Sequence, residues 1–302
     1  MGYNLTQEER NKEAKSDLVK KLILEKKLIS DLAPYYNKIK KSAKLLYATT
    51  NTVLDVSIFK SDLKDILAKH YRRVSKQFGD LGARQLESLL NSKSSSTAYS
   101  RLLDEYIREH SQLQANIISQ TDQDKLNNAF KTALVLWFLL GRSALTSDVS
   151  VAPRSGVPQT STSGSIPQAG EGISSEDLQI VQSQDILKNV SESGIELFNS
   201  KLDSRKEVIS LTETQNIAET SKDIAVKTYL NESGTEGFKQ WFSILDDRTR
   251  PWHVEAYGQI QRIDSPYLVG GQELMYPGDT TLGATPDNII NCRCSSHYFW
   301  KT

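Results

Sequence analysis

The feature that most constrains this chain is a break in its middle. Thr146–Ser175 holds Pro153, Pro158, Pro167, Gly156, Gly164, Gly170 and Gly172 among Ser, Thr and Gln, with no aromatic residue. Such a stretch cannot bury enough apolar surface to offset the entropy lost on ordering. It reads as a linker, or as an arm that orders on a partner. The two sides also differ in charge. Residues 1–145 carry 24 Lys and Arg against 16 Asp and Glu, whereas 146–302 carry 13 against 21. A net of zero therefore hides a basic half and an acidic half, which points to two domains with different partners.

The basic half reads as helical. Thr6 and Glu9 have the spacing of a capping box. Leu18, Leu22, Ile29 and Leu32 then recur at helical steps, and Pro34 should end or bend that helix. Further helical segments are expected over 35–47, 54–78, 83–90, 98–118 and 122–145. In the last, Leu126, Phe130, Leu134 and Trp137 share one face while 135–139 is apolar on the other. A helix apolar all round belongs in a core or a buried subunit contact. After the break, 176–230 resumes helical character. From Gly237 onward, short β-prone pieces (240–245, 266–269, 297–300) alternate with Gly and Pro, and aromatic residues concentrate. The expected fold is α+β: a mostly helical domain over 1–145, a linker over 146–175, and a small α+β domain with a loop-rich tip over 176–302. No run reaches the roughly 18–20 apolar residues that span a bilayer, and the N-terminus has no apolar signal-peptide core. Two cysteines in 302 residues exclude a disulfide scaffold and suit a reducing cytosol.

The most informative segment starts at Trp241 and runs through Asp246-Asp247-Arg248-Thr249-Arg250 to His253 and Gly258. It is followed in order by 268–279 (LVGGQELMYPGD) and by 286–294 (PDNIINCRC), which ends on Asn291-Cys292-Arg293-Cys294. It is preceded by Leu211-Thr-Glu-Thr-Gln-Asn-Ile-Ala. Together, over about 208–294, these pieces resemble the signature of the Mu F-like family of phage minor head proteins, also described as phage head morphogenesis proteins. The resemblance implies a virion protein made in the host cytoplasm and present in few copies near the portal vertex. It implies the portal protein as a partner, with the major capsid protein or the head interior beside it. Roles in head assembly and in delivery of the genome follow from the same resemblance. Packaged DNA is a further expected contact for the basic half, through non-specific phosphate binding.

Two readings of the signature's polar residues stand side by side. In one, Asp246 or Asp247 with Arg248 and Arg250 makes a turn held by charge-assisted hydrogen bonds, with Gly258 and Gly270–Gly271 in positive φ. In the other, His253, Cys292, Cys294 and His297 supply the ligand types that zinc prefers, alternate residues of a strand pointing to one face. No other cofactor is called for. An enzyme is the rival class. A magnesium-dependent nuclease on Asp246, Asp247, Glu255 and His253 has suitable residue types. An ADP-ribosyltransferase-like domain, carried by some proteins of the family, lacks room after Cys294. No phosphate-binding Gly loop, Gly-x-Ser-x-Gly elbow or His-Glu-x-x-His helix occurs.

Overall fold

The structure is a computed structural model that describes residues 6–90, 95–140 and 175–300. It is mostly helical, with short antiparallel strands near its C-terminus, and so has the α+β class expected. In order, the elements are α1 (Gln7–Thr50), a 3-10 turn (Val56–Phe59), α2 (Lys60–Leu90), α3 (Ser95–Leu140), α4 (Ser175–Asn199) and α5 (Leu202–Ser233). Then follow β1 (Gly237–Phe242), α6 (Pro251–Glu255), β2 (Ile260–Arg262), β3 (Tyr267–Val269), β4 (Gln272–Leu274), α7 (Pro286–Ile289) and β5 (Ser295–Trp300).

The chain does not divide where its composition breaks. One compact unit gathers Met1–Asn37, Val56–Gln120 and Leu202–Thr302; the other gathers Lys38–Asp55 and Thr121–Lys201. Each unit thus draws on both of the regions 1–145 and 176–302 that the sequence suggests as domains. The reason lies in α5, which packs along α2 in the first unit. The expected linker at 146–175 lies outside the described residues, apart from Ser175 at the start of α4.

Helix α1 starts as its sequence dictates. Thr6 N donates to Glu9 Oε2 at 2.7 Å and Glu9 N donates to Thr6 Oγ1 at 3.3 Å, closing the capping box. The helix does not end at Pro34, which is exposed, and continues to Thr50. Proline in a helix interior costs about 3 kcal/mol. Leu32, Tyr35 and Tyr36 beside it are all buried, and each fully buried large apolar side chain contributes about 1.5–3 kcal/mol, so burial wins. The buried stripe is also rotated from the one expected. Ala14, Lys21, Leu24, Leu28 and Leu32 face inward, whereas Leu22 is exposed.

The segments expected at 98–118 and 122–145 are one helix, α3, whose described end is Leu140. Leu126 and Phe130 are buried as expected, but Val135 is 46 % exposed, so this helix is not buried all round. In the second unit the Phe130 ring packs at a tilt against Tyr47 (ring centroids 4.4 Å) and lies against Gly194, where an added Cβ would meet the ring at 2.9 Å. Ser191 Oγ donates to Lys44 O at 2.7 Å in the same unit.

The helix buried on every side is α5, and its sequence is polar. Every residue from Glu213 to Ser221 is buried. Its polar groups are satisfied by partners on other elements of the first unit. His70 Nε2 and Thr214 Oγ1 lie 2.9 Å apart, and Tyr71 OH donates to Glu213. Ser75 and Ser221 hydroxyls are 2.9 Å apart, and Tyr106 OH donates to Asn216 Oδ1 at 2.6 Å. Lys21 Nζ reaches both Gln215 Oε1 and Glu219 Oε1 at 2.7 Å. A helix of this composition can sit in a core only because most of its buried polar groups are paired; Ser210 Oγ is an exception.

Against α5 lies a three-stranded antiparallel sheet in the order β2-β1-β5, with Trp241 opposite Ser296 and Gln240 opposite His297. A separate hairpin pairs β3 with β4. Its two-residue turn is Gly270–Gly271, with φ of 56° and 76°, the doubly left-handed geometry that favours Gly.

Candidate metal centre

The site begins at the end of β1. Trp241 is fully buried and its indole Nε1 donates to Ser243 Oγ at 3.0 Å. Ser243 Oγ in turn donates to His253 O at 2.5 Å. Between them the chain turns on Asp246. Its carboxylate accepts from Arg248 N (3.2 Å) and Thr249 Oγ1 (3.0 Å), and receives both arms of Arg293 at 2.7 and 2.8 Å. That bidentate pair, ahead of burial, holds the Asp246 carboxyl well below the usual carboxylate range. The turn is therefore clamped by Arg293, 47 residues further along the chain. Arg248 reaches Asp246 only at 3.5 Å and is largely exposed, while Arg250 donates to Ile290 O. Asp247 is exposed.

Pro251 then opens the short helix α6, a position where a missing N–H costs nothing. One turn of α6 carries His253 inward, where it is 2 % exposed. Cys292 and Cys294, on the segment from α7 into β5, come up beside it, 1 % and 3 % exposed. His253 Nδ1 lies 3.3 Å from Cys294 Sγ and 3.8 Å from Cys292 Sγ. All three candidate ligand atoms fall within 4.8 Å of one another. Among the described residues this is the one group of three or more His, Cys, Asp or Glu side chains so gathered.

The other ring nitrogen fixes the state of the histidine. Trp252 Nε1 can only donate, and it donates to Asn288 Oδ1 at 2.6 Å. Asn288 Nδ2 donates to Val269 O at 3.1 Å, so the amide is oriented beyond choice. His253 Nε2, 3.2 Å from the same Oδ1, must therefore carry its proton. In the neutral imidazole the Nδ1 lone pair then faces the two sulfurs. A ligating histidine whose second N–H is held by an oxygen is the usual arrangement at metal sites. Tetrahedral zinc with Zn–S of about 2.3 Å and Zn–N of about 2.0 Å needs ligand atoms roughly 3.3–3.8 Å apart. The His253–Cys distances match, so the trio can hold a metal ion.

The thiols are unequal without one. The hydrogen bond from Cys294, against the effect of burial, draws the Cys292 thiol well below its ordinary value. That same bond and burial push Cys294 up. Two sulfurs at this distance cannot both ionise until a cation compensates them.

His297 does not join the set. It lies on β5, where side chains alternate, and it faces away from the cysteines. Its Nδ1 is 3.3 Å from Glu13 Oε2 and its ring packs edge-on to Phe242 at 5.2 Å. The carboxylates expected for a nuclease do not converge either. Asp246 is held by Arg293, and Asp247 and Glu255 are exposed. Gly258 takes φ of 82° and donates its N–H to Trp241 O, and Asn291 is left-handed at 59° with its N–H on Thr212 Oγ1.

Sequence reasoning passed over Trp252, Ser243, Asn288 and Gln215. Gln215 Nε2 donates to Cys294 O at 2.6 Å and so ties α5 to the cysteine segment. The only hint available was that all four sit inside the quoted motif pieces. Trp252 also touches the hairpin turn. A Cβ at Gly270 would lie 2.9 Å from Trp252 Cδ1 at a φ of 56°. Gly270→Ala should cost about 1–2 kcal/mol from the left-handed backbone alone. The displaced indole should also change tryptophan emission. A variant within 0.5 kcal/mol of wild type in urea unfolding, with unchanged emission, would contradict this packing.

No protein family, curated protein or solved structure matches this chain.

Proposed function

We propose that this chain is a minor head protein of a tailed bacteriophage, of the Mu F-like kind, whose signature region is held together by one zinc ion on His253, Cys292 and Cys294. One observation carries the reading: the four motif pieces, far apart in sequence, meet around a single buried cluster. From 211–218, Gln215 donates to Cys294 O and Asn216 Nδ2 to Gly278 O at 2.9 Å. From 241–258 come His253, Trp252 and the Asp246 turn that Arg293 clamps. From 268–279 comes Val269 O, which orients Asn288. From 286–294 come Asn288 and both cysteines. A signature whose separated residues serve one another is the pattern expected of one functional unit, and it gives the resemblance physical content.

In this reading zinc supplies a cross-link. It holds both thiols as thiolates and joins α6 to the strand entering β5, in a region built of short elements. The partners follow from the resemblance: the portal protein first, then the head interior, with packaged DNA as a contact of the basic residues. No helix among the described residues is long and apolar enough to cross a membrane.

Quantitative mass spectrometry of purified particles from the phage encoding this chain tests the assignment. Peptides of 202–302 should appear in the head fraction at a few copies per portal. Deletion of the gene should leave cell lysis intact and lower the yield of infectious heads. Particles that lack the protein and retain full infectivity would remove the assignment.

A further inference from the structure

The zinc reading leaves one coordination position unfilled by this chain. Among the described residues no fourth His, Cys, Asp or Glu joins the trio. Ser243 Oγ, 3.6 Å from Cys294 Sγ, is already occupied: it donates to His253 O and accepts from Trp241 Nε1. Asp246 is taken by Arg293. Three protein ligands with one open position is the pattern of zinc centres that accept an exogenous group.

The opening has a definite character. The three candidate ligands line a cavity of about 10 Å³, space for roughly one oxygen atom. Its other walls are Ile244, Thr249, Asn291 and three arginines, Arg248, Arg250 and Arg293. A divalent ion on two thiolates and a neutral imidazole is electrically neutral. Arg293 is spent on Asp246 and also lies within electrostatic reach of Glu25, which leaves Arg248 and Arg250 as an excess of two positive charges among the lining residues. Arg248 is the uncommitted one, 73 % exposed and only 3.5 Å from Asp246. Two non-glycine residues beside this mouth are left-handed, Leu245 at φ 60° and Asn291 at φ 59°. Asn adopts that geometry readily; an exposed Leu does not, and such strain concentrates where a binding site needs it.

We propose that the fourth position of the His253–Cys292–Cys294 centre is completed by a dianionic phosphate group, one oxygen on the metal and the others facing Arg248 and Arg250. The inference rests on the zinc reading. Charge selects the ligand class: a phosphate or phosphomonoester carries about −1.5 to −2 near neutral pH and so matches the excess, whereas a carboxylate carries one charge. A cavity of this size would admit one oxygen beside the metal, and the others would face the exposed Arg248 side chain.

The test uses the full chain, freed of metal, reloaded with cobalt(II) in a phosphate-free buffer and followed by its d–d absorption. Inorganic phosphate should shift those bands and saturate. Glycerol phosphate tests a monoester source in a parallel arm, and acetate is the control. A response to phosphate alone assigns a free anion, and a response to both assigns esterified phosphate; either supports the proposal. Arg248→Ala should keep the cobalt spectrum and weaken phosphate binding about tenfold. Cobalt binding with bands that ignore phosphate, or that respond equally to acetate, overturns the phosphate proposal and leaves the metal reading intact. Failure to bind cobalt or zinc at all overturns the metal reading itself, so the two failures are distinguishable.

Discussion

Glu219→Ala is expected to destabilise the protein by about 3–5 kcal/mol, the cost of stripping one partner from a buried ion pair. Glu219 is fully buried on α5 and accepts from Lys21 Nζ at 2.7 Å, Lys222 Nζ at 2.8 Å and Ser296 N at 2.9 Å. It therefore joins the first helix, the central helix and the last strand in one contact. Its removal leaves Lys21, itself 2 % exposed, hydrogen-bonded to the Gln215 amide oxygen, with Asp17 and Glu25 acting on it only electrostatically. Lys222 keeps Asp17 at 3.5 Å. Glu219→Gln preserves the shape and one acceptor, so its loss should be roughly half as large. Replacing Lys21 by Met together with Glu219 by Leu should recover much of the deficit, because the desolvation of both charges goes with them. Urea unfolding measures all three; a Glu219→Ala loss under 1 kcal/mol would show that the network carries no stability.

The same residue gives a pH signature. Burial pushes the Glu219 carboxyl up, but Lys21 and Lys222 outweigh it and hold it below its ordinary 4.5. Asp17 behaves alike: burial raises it, and Lys222, Lys21 and Lys20 bring it below 3.8. A folded-state value below the unfolded one means stability that is present above the unfolded value and lost as pH falls through the folded one. Asp223 runs the opposite way, since its burial raises it. Stability should thus decline below about pH 4.5, and the decline should be shallower in Glu219→Gln. Equal acid slopes in the two proteins would contradict the assignment.

The second large effect is expected from the metal. Native mass spectrometry should find one zinc per chain, and a chelator should lower the melting temperature by roughly 8–16 °C. That range follows from about 4 kcal/mol for an ion at a thousand times its dissociation constant, at roughly 2–4 °C per kcal/mol in a unit of this size. Cys292→Ser should abolish both the bound ion and the chelator effect. Serine keeps a hydroxyl where the thiol stood beside His253, so the substitution separates coordination from hydrogen bonding. A metal-free protein whose melting is indifferent to chelator would leave a buried Cys–His hydrogen-bond network and nothing more.

How much of this was legible in the chain depends on how far apart the interacting residues are. The Thr6–Glu9 cap, the Gly270–Gly271 turn and the left-handed Gly258 were readable because each is settled within a few residues. The α+β class was readable because apolar spacing at 3.6 or 2 residues is local too. The ligand types of His253, Cys292 and Cys294 were visible as well. Tertiary structure decided the rest. It carried α1 through Pro34, because neighbouring buried rings outweigh one lost hydrogen bond. It buried polar α5 in place of the apolar end of α3, because Glu213, Thr214, Gln215 and Glu219 find partners more than sixty residues away. It turned His297 from the cysteines to Glu13, added the distant Arg293 to the Asp246 turn, and oriented His253 Nε2 toward Asn288 beside Trp252. Hydrophobic periodicity reports which residues gain by leaving water. It cannot report which polar groups will be compensated once they have left, because that depends on partners the fold alone brings within reach.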